Sequence, residues 1–340
     1  LEAVHHALLA ERVDQAATIL LGNSLPDYLE QWGSHEHLLR LSRQLLGGAA
    51  DGQSYDGYLA AKGFSVLHDD RVEALTRATL HHQLGKCARY LEHFPQALQA
   101  YEQGIELLSS GNGGRELVRL YRDSADVLHL MGQTEKALER CQAALALLAE
   151  PMDRAGQVDR ANLLVSQGNA LTQMGEPEAA FEQFRQARNL FDALGLTTRG
   201  FQALDNMGAA RAVQASAQKR PELLDEAIEY RSQALGYFQS VGHLNSAAAA
   251  SLNLGFVYYQ KGEKKRAYRA YADALVWFEQ IESSHGVILC QYNLGELALE
   301  AGNLPEATLY LESALAMSTR SGEAFSRPHI LFLLAQAHLK

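Results

Sequence analysis

The chain has 340 residues, of which 47% are hydrophobic and 21% charged, which suffices for a large buried core. A formal net charge of −10 argues against a general nucleic-acid or anionic-membrane surface. The few prolines, and the lack of alternating runs of Val, Ile and Thr, argue against β-structure, whereas the helix formers Ala and Leu are abundant. We therefore predict an all-α protein.

Cysteine usage and the amino terminus indicate where the protein resides. Cys87, Cys141 and Cys290 lie far apart at apolar positions of helical patterns, so we interpret them as inert core thiols. The sequence shows no signal peptide and no apolar run near the ~20 residues of a membrane span. We predict a cytoplasmic protein that binds neither membrane nor nucleic acid. Because residue 1 is Leu, we also expect a piece of a longer chain.

The first 46 residues are predicted to form leading helical hairpins of non-standard type, and residues 47–70 a loop-rich connection. The His5-His-Ala-Leu-Leu-Ala start, the Ala16-Ala17 pair, and Trp32-Gly33 followed by Leu38-Leu39 resemble the first hairpins after the ATPase and winged-helix parts of STAND-type signalling ATPases. That resemblance implies an ATPase domain upstream in the same chain.

The remaining 71–340 segment carries a repeat, best seen between residues 254 and 274. Leu254, Gly255 and Tyr258 lie on one predicted helix, and Ala267, Tyr271 and Ala274 lie on the next, after a turn at Gly262. This order of large, Gly, aromatic, Ala, aromatic and Ala resembles the tetratricopeptide repeat (TPR). Residues equivalent to Gly255 are Gly85, Ala125, Gly168, Gly208, Gly295 and Ala335, with successive spacings of 40, 43, 40, 47, 40 and 40.

The resemblance implies a right-handed TPR α-solenoid, a superhelix of antiparallel helix pairs with six full repeats plus the first helix of a seventh. The period exceeds the standard 34 residues, as in the repeats of STAND ATPases, kinesin light chains and bacterial peptide-pheromone sensors. The longest repeat has its excess near residues 214–223. There we predict a lengthened first helix, with Pro221 opening the second.

No catalytic, cofactor or metal site is predicted. The histidine pairs His5-His6 and His81-His82 point to different helix faces, and Cys-x2-Cys and His-Glu-x-x-His motifs are missing. The glycine-rich stretch at residues 109–114 follows a helix and lacks the Gly-Lys-Ser/Thr ending of a phosphate loop. We therefore predict that the chain is not an enzyme.

A TPR stack offers a concave groove lined by its first helices. With the Gly255-type residue numbered 8, positions 2, 5, 6, 9 and 13 should face the groove. Asn206, Asn253 and Asn293 share position 6 in three successive repeats, where Asn is a poor helix former. In similar long-repeat proteins such amides bind the backbone of an extended peptide. Alternatively, they bond a neighbouring repeat or water and fix repeat geometry.

Further groove residues are predicted on either side of these amides. Phe256 and Tyr292 are candidate apolar anchors, although aromatic residues at helical spacing also serve packing. Arg119 and Arg122 are candidates for holding an acidic group, unless the neighbouring Asp123 and Asp126 pair with them. The predicted partner-binding set is Arg119, Arg122, Asn162, Asn169, Asn206, Asn253, Phe256, Tyr292 and Asn293.

The sequence thus predicts a non-catalytic module that binds a peptide or protein in its groove, as the sensor part of a larger signalling or defence protein. One alternative is a stand-alone TPR scaffold or adaptor for a multiprotein complex. Another is a fragment of an enzyme whose catalytic domain lies elsewhere in the chain. The oligomeric state and the identity of the ligand are left open.

Overall fold

The computed structural model describes residues 74–91, 93–109, 114–148, 150, 152–321 and 326–339. The predicted leading hairpins and loop-rich connection lie outside them. The described residues hold thirteen α-helices and no strand, so the predicted all-α fold is confirmed. The helices are α1 (Ala74–Tyr90), α2 (Phe94–Ser109), α3 (Gly114–Leu130), α4 (Thr134–Ala146), α5 (Arg154–Gln173), α6 (Pro177–Ala193), α7 (Thr197–Gln218), α8 (Leu223–Ser240), α9 (Leu244–Gln260), α10 (Lys264–Gln280), α11 (Ser284–Glu300), α12 (Leu304–Ser321) and α13 (Arg327–Leu339).

The chain divides into two compact units, residues 1–170 and 171–340. Within unit 1, α1 packs on α2, α3 packs on α4, and α1 also touches α3. Within unit 2, the pairs α7–α8, α9–α10 and α11–α12 pack in the same way, and the first helices α7, α9, α11 and α13 touch in sequence. Each helix thus contacts mainly its neighbours along the chain, as in helical repeat proteins.

Each repeat is held together where a small residue of the first helix meets a large one of the second. At Gly255 an added Cβ would lie 2.6 Å from the Tyr271 ring, and at Gly295 one would lie 2.7 Å from Cγ of Leu311. Tyr271 and Leu311 are both buried. The glycines therefore allow the two helices to approach closely enough to bury these side chains.

Tight turns join the helices, and most contain one residue in the left-handed conformation. Within the helix pairs these residues are Gly132, Gly175, Gly262 and Gly302, with φ between 75° and 81°, and Lys219 after α7, with φ 54°. The turn between α10 and α11 instead has Glu282 at φ 55°. Glycine adopts this conformation without steric cost, so the predicted turn at Gly262 is explained, whereas Lys219 and Glu282 are strained exceptions.

The long fourth repeat departs from its prediction in one respect. Helix α7 spans 22 residues, which confirms the lengthened first helix. However, α8 begins at Leu223, two residues after Pro221, so the prediction that this proline opens the helix was wrong. A short turn precedes the helix: the Leu223 N–H donates to the Arg220 carbonyl, and the Leu224 N–H to the Pro221 carbonyl.

Candidate functional site

The inner face is the side of each first helix that points away from its second helix. In α9 the packing positions Ser251, Leu254, Gly255 and Tyr258 are buried, while Phe256 is exposed and Asn253 half-buried. In α11 the groove positions Tyr292, Asn293 and Glu296 are likewise half-buried. Burial therefore follows the helical period that the sequence predicted, and the partly exposed positions form the candidate site.

In unit 1 the inner face is occupied by an ionic network centred on His82. The Nδ1 atom of His82 lies 2.6 Å from Oε1 of Glu116, and its Nε2 atom lies 2.8 Å from Oδ2 of Asp123. Arg122 also pairs with Asp123, at 2.6 Å, and the Ser166 hydroxyl donates to Asp126. This network links α1, α3 and α5 through their inner faces.

The network sets the protonation state of His82. Burial lowers the pKa of His82, but its hydrogen bonds to Asp123 and Glu116 and their negative charges raise it more, so the net pKa lies above the ordinary value. Burial raises the pKa of Asp123, whereas Arg122 and His82 lower it more strongly, and the net pKa is depressed. The raised pKa of His82 and the depressed pKa of Asp123 both favour an ion pair of an imidazolium and a carboxylate.

The predicted cationic groove residues of unit 1 have internal partners. Arg122 pairs with the adjacent Asp123, which is the internal pairing that the sequence left open. Arg119 lies 3.7 Å from Glu116 and 3.9 Å from Asp159. Asn162 and Asn169 are half-buried on α5. The cations of this face are therefore largely balanced by carboxylates of the same face.

The three aligned asparagines of unit 2 are half-buried, and two of them have partners within the chain. The Asn253 amide donates to Oδ2 of Asp205 on the preceding first helix, at 3.2 Å. The Asn293 amide donates to the Leu289 carbonyl of its own helix, at 2.8 Å. The structure thus brings the amides to successive inner-face positions. A peptide-binding role for them stays a prediction.

A buried ion pair that the sequence pattern did not predict lies next to Asn253. Arg231 occupies the position that Tyr271 holds in the next repeat, and its side chain is 7% exposed. Its Nη1 lies 3.3 Å from Oδ1 of Asp205, and a Cβ at Gly208 would meet its Cγ at 2.8 Å. The sequence feature that could have predicted this ion pair is Arg231 at a position that is aromatic in other repeats, together with Asp205 at a groove position of the paired first helix.

Aromatic side chains also lie on the inner face of unit 2. Phe256 is 50% exposed on α9, and Phe332 is 63% exposed on α13. Tyr292 is half-buried on α11, between them in the order of the helices. The Tyr259 hydroxyl donates to Oε1 of Glu300 at 2.5 Å. Exposed aromatic rings of this kind are typical anchors of protein and peptide interfaces.

Other kinds of site find little support in the described part of the chain. Its residues contain no group of three or more His, Cys, Asp or Glu that could hold a metal ion. None of its helices is long and apolar enough to cross a membrane. A cavity of about 400 Å³ opens between α1 and α2, lined by Arg77, His81 and Glu106 among others. Burial, helped by Arg77, lowers the pKa of His81 to about 4.

The repeat geometry defines a helical solenoid of the tetratricopeptide class, and a family comparison agrees. Residues 246–320, which cover all of α10 and α11 and most of α9 and α12, match the tetratricopeptide repeat family. Comparison with curated protein sequences gave no match. The predicted fold class is confirmed, and the match supports the repeat between residues 246 and 320. The count of six full repeats over residues 71–340 and the resemblance to STAND ATPases stay predictions.

Several solved structures share this fold at low sequence identity. A Rap protein complexed with Competence and Sporulation Factor is 12% identical, with a TM-score of 0.63 over 91% of this chain and 84% of that one. A tetratricopeptide repeat protein from Parabacteroides merdae is 14% identical, with a TM-score of 0.55 over 90% and 99%. Aspartyl phosphate phosphatase F from Bacillus subtilis is 12% identical, with a TM-score of 0.53 over 93% and 94%.

Proposed function

We propose that the chain is a non-catalytic recognition module whose inner face in unit 2 binds an extended peptide or an extended segment of a partner protein. One observation carries the proposal: α9 and α11 present half-buried amides beside exposed or half-buried aromatic rings. Amides pair with a peptide backbone, and aromatic rings bury its apolar side chains. A protein with the same fold is seen in complex with Competence and Sporulation Factor, and tetratricopeptide-type folds generally serve protein interaction without catalysis.

Unit 1 is the weaker candidate for the same role. Its inner-face charges are balanced against one another through His82, Asp123 and Arg122. A ligand bound there would have to displace buried hydrogen-bonded ion pairs, and the loss of one such partner is costly. On the inner face of unit 2, Phe256 and Phe332 are already exposed, so a ligand can contact these rings without breaking an ion pair.

In its biological setting we propose a sensor part of a larger signalling or defence protein. The support is the resemblance of the first 46 residues to the leading hairpins of STAND-type ATPases, with an ATPase domain expected upstream. A ligand would act by binding the resting and active states with different affinity. A stand-alone adaptor would use the same face, and the full-length sequence separates the two: a nucleotide-binding Gly-rich loop upstream favours the sensor.

The experiment is peptide selection on the purified 340-residue chain, followed by calorimetry with the selected peptides. Phe256→Ala should weaken binding at least tenfold, since truncating a central aromatic anchor costs about 1.5 kcal/mol or more. Val276→Ala is the matched control, because Val276 is 60% exposed on the second helix α10. Changing Asn206, Asn253 and Asn293 together to Ala should also weaken binding.

Thermal unfolding of each variant separates lost binding from lost folding. Unchanged peptide affinity in both Phe256→Ala and the triple asparagine variant would show that the peptide binds outside the inner face of unit 2, and would contradict the proposal. A failure to select any binding peptide would also count against it.

A further inference from the structure

The inner face of unit 2 has an unusual distribution of charge. Helix α9 contains no charged residue, and the carboxylates of α11 are Glu296 and Glu300, one turn apart. Residues four apart on a helix lie on the same side, so both carboxylates face the same strip as Tyr292. The inner face of α9 and α11 therefore consists largely of uncharged residues, and its negative charge is concentrated at Glu296 and Glu300.

The two carboxylates differ in their partners. Glu300 accepts the Tyr259 hydroxyl and lies 2.9 Å from Nζ of Lys264. Glu296 makes no hydrogen bond and no ion pair within the described part of the chain. Its side chain is half-buried, and this burial, together with the charge of Glu300, raises its pKa. The cation that would balance Glu296 is missing from the described residues around it.

Two cations on helices that pack against α11 have other partners. Lys264 pairs with Glu300, and Arg327 at the start of α13 donates to the hydroxyl and carbonyl oxygens of Ser318. On the inner face, burial and the charge of Glu296 raise the pKa of Tyr292. The pKa of Tyr259 is also raised, mainly by its hydrogen bond to Glu300 and to a smaller extent by the charge of Glu296. Tyr292 lies one helical turn before Glu296, and the Tyr259 hydroxyl bonds Glu300 one turn after it, so both phenol rings lie on the side of α11 that carries Glu296. Aromatic rings attract cations themselves.

From this charge complementarity we infer that the peptide carries a basic side chain, Arg or Lys, which binds Glu296 between Tyr259 and Tyr292, while flanking apolar side chains pack on Phe256 and Phe332. The inference rests on the proposed function and specifies its ligand class. A charged hydrogen bond from a guanidinium to a partly desolvated carboxylate is about twice as strong as a neutral one. The charge therefore selects among peptides, and the aromatic anchors supply apolar burial.

The test uses two fluorescein-labelled pools of octapeptides whose variable positions are mixtures of Ala, Leu, Phe, Asn and Gly. One pool has Arg at the fifth position, and the other has citrulline, which keeps the shape of Arg without its charge. By fluorescence polarisation with the whole chain, the Arg pool should bind at least tenfold more tightly, because a charged hydrogen bond is worth about 1.5–3 kcal/mol. The preference should weaken with added salt.

Glu296→Gln tests the residue, because the amide keeps the size of the side chain and removes its charge. It should reduce the preference for Arg over citrulline to about twofold or less, with little effect on the citrulline pool. Glu312→Gln on the exposed face of α12 is the matched control and should leave the preference intact. Both variants should unfold at the wild-type temperature within about 2 °C, as surface changes usually do.

The outcomes distinguish a failure of the basic-ligand inference from a failure of the proposed peptide binding. Equal binding of both pools, weakened in each case by Phe256→Ala, would overturn the basic ligand and retain peptide binding. An Arg preference that survives Glu296→Gln would overturn the role of Glu296. No binding of either pool would overturn both proposals.

Discussion

At the residue scale, the buried polar groups show how the repeat pattern is modified without being lost. Arg231 stands where other repeats have Tyr101, Phe184 or Tyr271, yet it is buried because Asp205 neutralises it. Its Nε atom has no hydrogen-bond partner, so the pair is held by Nη1 alone. Removing one member of such a pair leaves a buried charge, whereas replacing both by apolar residues is often neutral. The arginine is therefore tolerated only together with Asp205.

The first prediction at the residue scale concerns how the stability that His82 contributes depends on pH. Its folded pKa is raised, so its ion pairs stabilise the protein fully below the unfolded pKa of about 6.5 and lose that effect as pH rises through the higher folded value. His82→Gln should therefore destabilise the chain by about 2 kcal/mol at pH 6 and by less at pH 9. Thermal unfolding at both pH values measures the difference.

The control for this prediction is His285→Gln, because His285 is exposed at the start of α11. It should have little effect on unfolding at either pH. A destabilisation by His82→Gln that grows from pH 6 to pH 9 would contradict the assigned imidazolium. A direct check is the titration of a ¹³C-labelled His82 ring by NMR, which should give a pKa above 6.5.

At the scale of helices and turns, one left-handed residue closes most connections of the array. Gly195 and Gly242 do so between repeats in unit 2, with φ of 67° and 68°. Glu282 takes the corresponding place before α11 with φ 55°, and a non-glycine residue there costs about 1–2 kcal/mol. The helix that follows is capped normally, since the Ser283 side chain accepts from the Gly286 N–H. The strain is thus confined to one residue.

Glu282→Gly is therefore expected to stabilise the protein. The gain should be about 0.5–1 kcal/mol, because relief of left-handed strain exceeds the extra chain entropy that glycine adds to the unfolded state. Differential scanning calorimetry should show a higher unfolding temperature. The matched variant Gly262→Ala places a Cβ at φ 81° in the turn before α10 and should lower that temperature. A lower unfolding temperature for Glu282→Gly would disprove the account of this turn.

At the scale of the whole molecule, the contacts within each unit connect each described helix mainly to its near neighbours along the chain. In unit 2 the last cluster joins Ile330 of α13 to Ile288 of α11 and Leu311 of α12. Stability in such an array is approximately a sum over repeats and their interfaces. A substitution that destabilises one interface should therefore destabilise mainly the helices that meet there.

Ile330→Ala tests this expectation within unit 2. Removing a fully buried isoleucine side chain costs about 2–5 kcal/mol. Hydrogen exchange followed by mass spectrometry should show faster exchange in α11, α12 and α13, with wild-type rates in α7 and α8. Leu331→Ala, which changes a side chain that is 51% exposed on the same helix, serves as the control and should alter little. Equal acceleration from α7 to α13 would indicate one cooperative unit in place of separable repeats.

The sequence by itself determined the helices, their turns, and the pattern of small and large residues by which paired helices pack. Small residues equivalent to Gly255 recur every 40 to 47 residues. Helix formation and glycine turns depend on residues a few positions apart. The same periodicity identified the inner-face positions, including the three aligned asparagines. It also predicted Pro221 wrongly, because that prediction considered the proline alone and not the turn that precedes α8.

Only the tertiary structure decided how the inner-face side chains are used. His82 meets Asp123 across 41 residues, and Asn253 meets Asp205 across 48. Such partners belong to different repeats, so their pairing depends on how neighbouring helices pack. The sequence showed which side chains reach the inner face. Packing decided that charges in unit 1 balance one another, and that Glu296 in unit 2 has a carboxylate neighbour and no cation among the described residues.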